Sequence, residues 1–238
     1  MTEALFHVDS YLREFDDRVS AVNRGAVALG RTAFYPGGGG QPHDEGALSA
    51  EGAAWRVASV QWQGDDVWHE LEGGPPPAVG TAVHGAVDWD RRHALMRTHT
   101  ALHILCGVIF RDYGALVTGG NMTPLAARMD FELEQMSSSF AAEVEAGANV
   151  EIAAARPIRV GFLARDEVGR TPGLIRTKIN LLPSAVAKVR IVNIEGLDLQ
   201  ADGGTHVANT SEVGRIRIVG HESKGRINKR LRIVVADA

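Results

Sequence analysis

Short apolar runs, broken at close intervals by glycine and proline, characterise the first 90 residues of the chain. In the last of these runs Val83, Gly85, Val87 and Trp89 alternate with other positions, which is the period of a half-buried strand. Repeated strands of this kind, with turn residues between them, predict a small β-barrel or a similar compact β-domain over residues 1–90.

A helical period replaces this pattern from Arg91 onward. Apolar or small residues recur at intervals of three and four, and Gly114 follows them as a terminating residue. The spacing therefore predicts a long helix whose buried face includes Leu95, Thr98, Leu102, Leu105 and Ile109.

Strand-like and helical segments alternate in the remainder of the chain. The segment "SSFAAEVEAGANVEIAAA" predicts a helix, whereas strands are predicted in "ARMDFEL", "RPIRVGFL", "AKVRIVNI", "GRIRIVG" and "RINKRLRIVVAD". We expect an α+β protein, with a small N-terminal β-barrel domain over residues 1–90 and an α/β domain over residues 91–238. The sheet of the second domain is expected to be largely antiparallel, with the long helix packed beside it.

Composition narrows the class of protein. The 238 residues are 45% hydrophobic and 23% charged. Because the net charge is −4, the chain lacks the overall positive charge of proteins that coat nucleic acid. A single cysteine, Cys106, excludes a disulfide framework. With no signal peptide at its amino terminus and no run long enough for a membrane span, the protein is expected to be cytoplasmic and not to bind membranes.

Two histidine-containing segments carry candidate chemistry. His99 and His103 are four residues apart on the predicted helix, so both imidazoles leave one face and have the separation that two ligands of one zinc ion require. Such a pair is also common among ordinary surface and core residues. Thr100 stands where the metalloprotease motif HExxH has its glutamate, so protease chemistry is not indicated. Asp202 and His206, separated by two glycines and a threonine, can complete the site from a turn.

The combination of "RTHTALHIL" with "GLDLQADGGTHVANTSEVG" resembles the editing domain of alanyl-tRNA synthetases and the freestanding AlaX proteins, specifically their longer type. The resemblance extends to "FYPGGGGQPHDEG", "PGLIRTKINLLP" and "ESKGRINKRLRI", and so covers nearly the whole chain in the right order. It implies hydrolysis of mischarged tRNA(Ala), chiefly seryl-tRNA(Ala) with glycyl-tRNA(Ala) possible, by a domain that uses zinc. The oligomeric state and the tRNA elements recognised are not implied.

The metal ligands implied by the resemblance are His99, His103, Asp202 and His206. Asp202 stands where the family has the cysteine of a CGGTH motif. A carboxylate can bind zinc directly, or it can leave three histidines and water while it orients one of them. Cys106 lies on nearly the same helical face as the histidines, although a lone cysteine in an apolar helix is typically a buried hydrophobe.

Further candidate residues follow from the resemblance. Thr118, with Asn121 and Thr123 behind it, is the candidate selector of the serine hydroxyl, in a predicted loop after the metal helix; a threonine closing a turn is the alternative. Gly38, Gly39, Gly40 and Gln41 are expected near the active site or the tRNA end, or at a flexible hairpin tip. Arg176, beside Thr177, is placed toward the tRNA.

The carboxyl-terminal "SKGRINKRLR" is rich in cations and contains no acidic residue. It provides either a phosphate-binding patch or a solvated strand face through Lys224, Arg226, Lys229, Arg230 and Arg232.

Two other functions stay open at this point. The change of cysteine to Asp202 is compatible with a tRNA-binding module that has lost catalysis. The same fold can also serve as a metal-dependent esterase that acts on a small aminoacyl ester.

Overall fold

Two compact units make up the chain in a computed structural model that describes residues 1–171, 173–177 and 187–237. The first unit comprises Met1–Ala94 and the second Leu95–Ala238. Residues 178–183 of the motif "PGLIRTKINLLP", and its Pro172, lie outside the described residues. No helix in the described part of the chain is long and apolar enough to cross a membrane.

A closed antiparallel barrel forms the body of the first unit. The strands of this unit are β1 (Glu3–Ala4), β2 (Glu14–Asn23), β3 (Ala26–Leu29), β4 (Arg31–Thr32), β5 (Gly46–Ala50), β6 (Ala53–Gln63), β7 (Asp66–Glu72) and β8 (Ala82–Val87). The six barrel strands follow the order β2-β3-β7-β6-β5-β8, and β2 pairs with β8 to close it. Alternating apolar residues fill the interior, among them Val27, Leu48, Val57 and Val67. The predicted β-barrel is confirmed.

The long helix α1 (Trp89–Tyr113) begins two residues earlier than predicted, so Trp89 belongs to the helix and not to the preceding strand. Asp88 explains this start because its Oδ1 accepts a hydrogen bond from the backbone N–H of Arg91, 3.1 Å away. At the other end Gly114 takes a φ of +65°, as predicted for a residue that ends a helix.

Arg92, in the first turn of α1, is buried within the first unit together with Asp44. Its guanidinium donates to both carboxylate oxygens of Asp44, to Ala33 O at 2.6 Å and to Ser10 O at 3.0 Å. Each charge therefore has an opposite charge or hydrogen-bond partners in the interior, as a buried ion pair requires.

Among its described residues, the second unit contains α1 from Leu95 onward and two antiparallel sheets. Its other elements are β9 (Val117–Thr123), β10 (Ala126–Phe131), α2 (Ser138–Ala153), β11 (Ile158–Ala164), α3 (Arg165–Val168), β12 (Lys188–Ile194), β13 (Asp198–Ala201), β14 (Arg215–Gly225) and β15 (Asn228–Ala236), with 3₁₀ turns at Leu5–His7 in the first unit and Thr210–Val213 here. One sheet has the order β14-β15-β10-β9 and the other β11-β12-β13. The sequence predicts antiparallel strands correctly but does not show that they divide into two sheets.

The sequence predicts a loop over Gly114–Thr123, and this prediction is wrong for most of the stretch. Residues Val117–Thr123 form β9, an edge strand whose register with β10 pairs Thr123 with Ala126 and Asn121 with Arg128. Adjacent glycines and exposed polar residues hide the strand period in this segment. Pairing with β10 supplies backbone hydrogen bonds that the local sequence does not reveal.

Candidate metal centre

The face of α1 that carries His99 and His103 is buried in the second unit. Their ring centroids lie 5.1 Å apart, and the two residues are only 4% and 6% exposed. Thr98 anchors this part of the helix, because its Oγ1 accepts a hydrogen bond of 2.9 Å from the backbone N–H of Leu125 in the β9–β10 turn. The four-residue spacing thus places both imidazoles where a second element can reach them.

That second element is the segment that runs from β13 into the glycine-rich turn. Its Asp202 and His206 meet the two helical histidines, and ligand atoms of all four residues lie within 4.8 Å of one another. The His206 ring centroid is 4.3 Å from that of His99 and 4.6 Å from that of His103. We call His99, His103, Asp202 and His206 the His/Asp cluster; these are the residues that the sequence predicts as metal ligands.

The Asp202 carboxylate has two oxygens in different environments. Its Oδ2 accepts a 2.7 Å hydrogen bond from the backbone N–H of Gly204 and lies 3.1 Å from His206 Nε2. The bond to Gly204 closes a turn that aspartate readily forms with the residue two positions ahead. Its Oδ1 faces the helix, 3.5 Å from His99 Nε2 and 4.0 Å from His103 Nε2.

Two further side chains orient the histidines. Thr100 Oγ1 lies 3.1 Å from His206 Nδ1 and accepts a 3.3 Å hydrogen bond from the N–H of Val207. The Oδ2 of Asp198 lies 3.4 Å from His103 Nδ1, at ion-pair distance. In both cases the inner nitrogen, Nε2, faces the other members of the His/Asp cluster.

Asp198 and Asp202 are themselves held by arginines. Arg176 stacks on the ring of Phe110 at 3.8 Å and directs its Nε to Asp198 Oδ1 at 3.3 Å, while Gln200 donates to Asp198 Oδ2 at 2.6 Å. Arg190 Nη1 donates to the backbone oxygen of Asp202 at 2.9 Å and lies 3.7 Å from its Oδ2. The predicted location of Arg176 on the tRNA side is not tested by these contacts, which place its guanidinium beside Asp198.

Four residues around the cluster do not stand out in the sequence as site residues: Asp198, Gln200, Arg190 and Thr100. A signal for the first two exists in "DLQAD", where Asp198, Gln200 and Asp202 alternate and so share one face of an extended segment. Arg190 and Thr100 carry no comparable local signal, because their partners lie far away in the sequence.

Burial and mutual charge shape the protonation of the His/Asp cluster. Burial lowers the pKa of His206 to about 4 and that of His99 well below its usual value. For His103 burial is outweighed by the carboxylates of Asp198 and Asp202, which raise its pKa. Burial alone would raise the pKa of the Asp202 carboxyl, but the surrounding histidines hold it well below its usual range. The anionic Asp202 carboxylate thus faces two imidazoles of low proton affinity, those of His99 and His206, an arrangement suited to a cation.

Cys106 is not a member of the His/Asp cluster. The residue is 1% exposed and its thiol is free, and burial raises its pKa, which keeps it protonated. It therefore matches the expectation for a small buried hydrophobe.

The selector candidates all lie on β9. Thr118 is exposed and its Oγ1 donates to Asn228 Oδ1 at 2.9 Å, while Thr123 Oγ1 lies 3.4 Å from the backbone oxygen of Ala126. Asn121 is exposed on the same strand. The selector role of Thr118 remains a prediction.

The glycine-rich motif forms a tight hairpin in the first unit. Gly38 and Gln41 exchange two backbone hydrogen bonds of 3.0 and 2.9 Å, and all four residues Gly37–Gly40 have positive φ. Gly38, Gly39 and Gly40 are exposed at its tip, whereas Gln41 is 3% exposed. Positive φ explains the glycines by backbone geometry alone.

The cations of the basic carboxyl-terminal segment divide between internal contacts and solvent. Lys229 is buried and donates to the backbone oxygens of Gly225 and Arg226. Arg230 binds Asp130 and Arg232 binds Glu222, through hydrogen bonds of 2.6 to 2.8 Å. Lys224 and Arg226 are the members of this segment left exposed without an ion pair at salt-bridge distance among the described residues.

Comparison with known proteins adds to this picture. The family model for class II (A) tRNA synthetases matches residues 3–91. The family model for the threonyl and alanyl tRNA synthetase second additional domain matches residues 189–232. The alanyl-tRNA editing protein AlaX-M of Saccharolobus solfataricus is 39% identical over 97% of this chain and 98% of its own length. AlaX-M of Methanosarcina barkeri is 37% identical over the full length of both chains. The alanine–tRNA ligase of Pyrococcus furiosus is 37% identical over 93% of this chain, which spans 24% of the ligase.

Proposed function

The chain belongs to the AlaX-M family of alanyl-tRNA editing proteins, and on that premise we propose that it is a zinc-dependent deacylase of mischarged tRNA(Ala). Ser-tRNA(Ala) is its chief substrate, and Gly-tRNA(Ala) is a second. The observation that carries this proposal is the His/Asp cluster, whose four ligand atoms converge within 4.8 Å in a chain that matches editing proteins over its whole length.

The donor set of the His/Asp cluster fits zinc. Three imidazole nitrogens and one carboxylate oxygen are ligands that zinc accepts in four-coordinate sites. We assign Asp202 Oδ1 as the fourth ligand, since Oδ2 is engaged by Gly204 while Oδ1 faces His99 and His103. Aspartate thereby replaces the cysteine implied by the family resemblance. Zinc held by these four residues would supply Lewis acidity to a water molecule or an ester carbonyl that adds as a further ligand.

The residues around the cluster prepare it for this chemistry. The Thr100 hydroxyl and the Asp198 carboxylate favour the tautomers of His206 and His103 that carry the proton on Nδ1 and leave Nε2 as a lone-pair donor. Because the three histidines are at most 6% exposed, the site excludes most water and electrostatic interactions within it are strong. An ester needs no protein nucleophile under these conditions.

Selectivity requires the site to distinguish serine from alanine, which lacks one hydroxyl. A protein group that hydrogen-bonds the serine hydroxyl discriminates strongly, because the alanine ester would leave that group unpaired. Thr118 is our candidate for this group. Its own proton is donated to Asn228, which leaves its oxygen free to accept a hydrogen bond from a substrate hydroxyl.

Contacts to the tRNA are assigned to exposed residues of both units. Lys224 and Arg226 supply cations for phosphates in the second unit, and the exposed Gly39 and Gly40 supply backbone N–H groups in the first, at a tip that the mutual hydrogen bonds of Gly38 and Gln41 hold in place. Arg176 contributes mainly by holding Asp198. Binding through Lys224 and Arg226 should weaken as salt concentration rises.

The proposal is tested by incubating the protein with seryl-, glycyl- and alanyl-tRNA(Ala), with and without a zinc chelator, beside His103→Ala. We expect deacylation of the seryl and glycyl esters, loss of activity with chelator or with His103→Ala, and survival of the alanyl ester. Survival of seryl-tRNA(Ala) with the zinc-loaded protein contradicts the proposal. Binding of tRNA without hydrolysis indicates a binding module instead, and hydrolysis of small esters alone indicates an esterase.

A further inference from the structure

One face of the three-stranded sheet carries both the Asp202 carboxylate and residues with no role in the metal centre. In antiparallel pairs, directly opposed residues have side chains on the same face. Phe162 of β11 is opposed to Arg190 of β12, and the N–H of Asp202 bonds to the oxygen of Arg190 at 3.1 Å. Phe162, Arg190 and Asp202 therefore form one row across the sheet.

The opposed residues of the adjacent rows lie on the same face of the sheet. Val160 is opposed to Val192, which is opposed to Gln200, and Ile194 is opposed to Asp198. The other face of the sheet packs in an apolar cluster around Val168, Leu174 and Val189, with Leu163, Ile191 and Leu199 against it. The face of Phe162 and Val160 is thus the one that carries Asp198, Gln200 and Asp202, which we call the metal face.

Two apolar side chains on the metal face are open to solvent. Phe162 is 48% exposed and Val160 is 38% exposed, at the β11 edge of the sheet. Lys188, which alternates with Arg190 along β12 and is opposed to Ala164, adds an exposed cation beside Phe162. An aromatic ring, an aliphatic side chain and an ammonium group therefore lie together next to the metal centre.

The distance from this surface to the metal centre suits a nucleoside. Neighbouring strands are about 4.8 Å apart, so the backbones of Phe162 and Asp202, two strands apart, are separated by roughly 10 Å. In an aminoacyl-tRNA, the reacting ester and the terminal adenine are attached to the same ribose. With the ester at the His/Asp cluster, the adenine lies one ribose away and can therefore reach Phe162 over this distance. The 5′-phosphate of the same nucleotide carries the negative charge that Lys188 complements.

We propose that Phe162, supported by Val160, stacks against the 3′-terminal adenine of the substrate and that Lys188 binds the phosphate on its 5′ side. This inference rests on the proposed function, because it assumes an ester of the terminal adenosine at the cluster. Stacking on Phe162 recognises the adenine ring system without reading the tRNA sequence.

Three small substrates test the inference: serine methyl ester, 3′-O-seryladenosine and 3′-O-seryladenosine 5′-monophosphate. For Phe162→Ala, we expect the preference in kcat/KM for seryladenosine over serine methyl ester to fall about 5- to 150-fold, the range of one base–aromatic stack. The fall should come from KM, because a contact away from the carbonyl is equally strong in the ground and transition states. Phe162→Tyr should restore the preference.

Lys188→Ala should reduce only the additional gain from the 5′-phosphate, by roughly two- to fivefold. Two variants serve as matched controls. Trp62→Ala removes an aromatic residue that is 42% exposed on β6, and Arg159→Ala removes a cation from the opposite face of the same sheet. Both controls should retain the wild-type order of the three substrates.

The outcomes distinguish failure of the adenine site from failure of the proposed function. If the wild-type protein hydrolyses seryladenosine but Phe162→Ala keeps the same preference over the methyl ester, the adenine site is wrong and the deacylase proposal survives. An equal loss on both esters assigns Phe162 to the integrity of the metal centre and also overturns the site. If the wild-type protein cleaves none of the three substrates and spares seryl-tRNA(Ala), the proposed function fails and the inference fails with it.

Discussion

His103 is the cluster residue whose orientation depends most clearly on a second carboxylate. Asp198 Oδ2 lies 3.4 Å from its Nδ1, and Arg176 and Gln200 hold Asp198 in place. Asp198→Asn removes the charge and keeps the shape, so we expect the zinc affinity to fall about 10- to 100-fold in competition with a chromogenic chelator. Asp130→Asn, which alters a buried strand aspartate bound to Arg230, is the control. Equal zinc affinity of Asp198→Asn and wild type would show that Asp198 does not support the ligand.

Thr118→Val tests the hydroxyl selector with little change in volume. Loss of one hydrogen bond to the serine hydroxyl should lower kcat/KM for seryl-tRNA(Ala) by roughly two- to twelvefold, since such a bond contributes about 0.5–1.5 kcal/mol. The rate for glycyl-tRNA(Ala), which has no hydroxyl, should stay within about twofold. Equal losses on both substrates would assign Thr118 to the β9 structure, through its bond to Asn228.

His69 gives the barrel a pH-dependent stability. Burial lowers its pKa to about 4, and its ring nitrogens lie 2.8 Å from Thr32 Oγ1 and 3.2 Å from the oxygen of Val27. Because the folded pKa lies below the unfolded value of about 6.5, the contribution of His69 is complete above pH 6.5 and is lost as the pH falls toward 4. The loss should total roughly 3 kcal/mol.

Urea unfolding followed by tryptophan fluorescence measures this effect, since all four tryptophans lie within residues 1–94. The free energy of unfolding of the wild type, relative to that of His69→Gln, should fall by roughly 3 kcal/mol from pH 7 to pH 4. A difference that stays constant over this range would show that His69 titrates alike in the folded and unfolded states.

At the residue scale, the sequence predicts the four cluster residues because each pair is local: His99 with His103 on one helix, and Asp202 with His206 in one turn. Contacts between residues that are far apart in the sequence cannot be predicted from local spacing. Arg190 reaches Asp202 only because β12 pairs with β13, and Thr100 reaches His206 across 106 positions.

Among the elements, α1 depends on a glycine to approach the β12–β13 connection. A Cβ at Gly107 would lie 2.9 Å from Leu197 Cγ and 3.1 Å from Asp198 Cβ. Alanine normally stabilises a helix interior relative to glycine by about 1 kcal/mol. Here Gly107→Ala should instead lower the melting temperature and weaken zinc binding, because it displaces Asp198 from His103.

The matched control is Gly147→Ala in α2, where the added Cβ meets Val108 Cγ1 at 3.3 Å and no cluster residue. Calorimetry and zinc titration of the two variants check the prediction. Zinc affinity unchanged in Gly107→Ala would show that the helix position does not control the cluster.

Element boundaries were predictable where a side chain or backbone geometry marks them, as at Gly114 after α1. They were not predictable for β9, whose glycines give no strand period. The basic segment in β14–β15 shows the same limit, because the acidic partner Asp130 of Arg230 lies 100 positions away on β10.

At the scale of the whole molecule, apolar patterning predicted the β-barrel and the antiparallel character of the second unit. It did not predict that the latter's strands divide into two sheets, because strand pattern alone does not determine which strands pair. The division matters for function, since the three-stranded sheet carries Asp198, Asp202 and Phe162 on one face.

The central claim is that one zinc ion in the His/Asp cluster makes this chain a deacylase. It is tested most directly by adding zinc stepwise to metal-free protein and measuring the deacylation rate of seryl-tRNA(Ala) at each step. We predict a rate that rises in proportion to bound zinc and reaches its plateau at one ion per chain, with no such rise in Asp202→Ala. A rate that is already maximal in the metal-free protein, or that ignores bound zinc, would contradict the account.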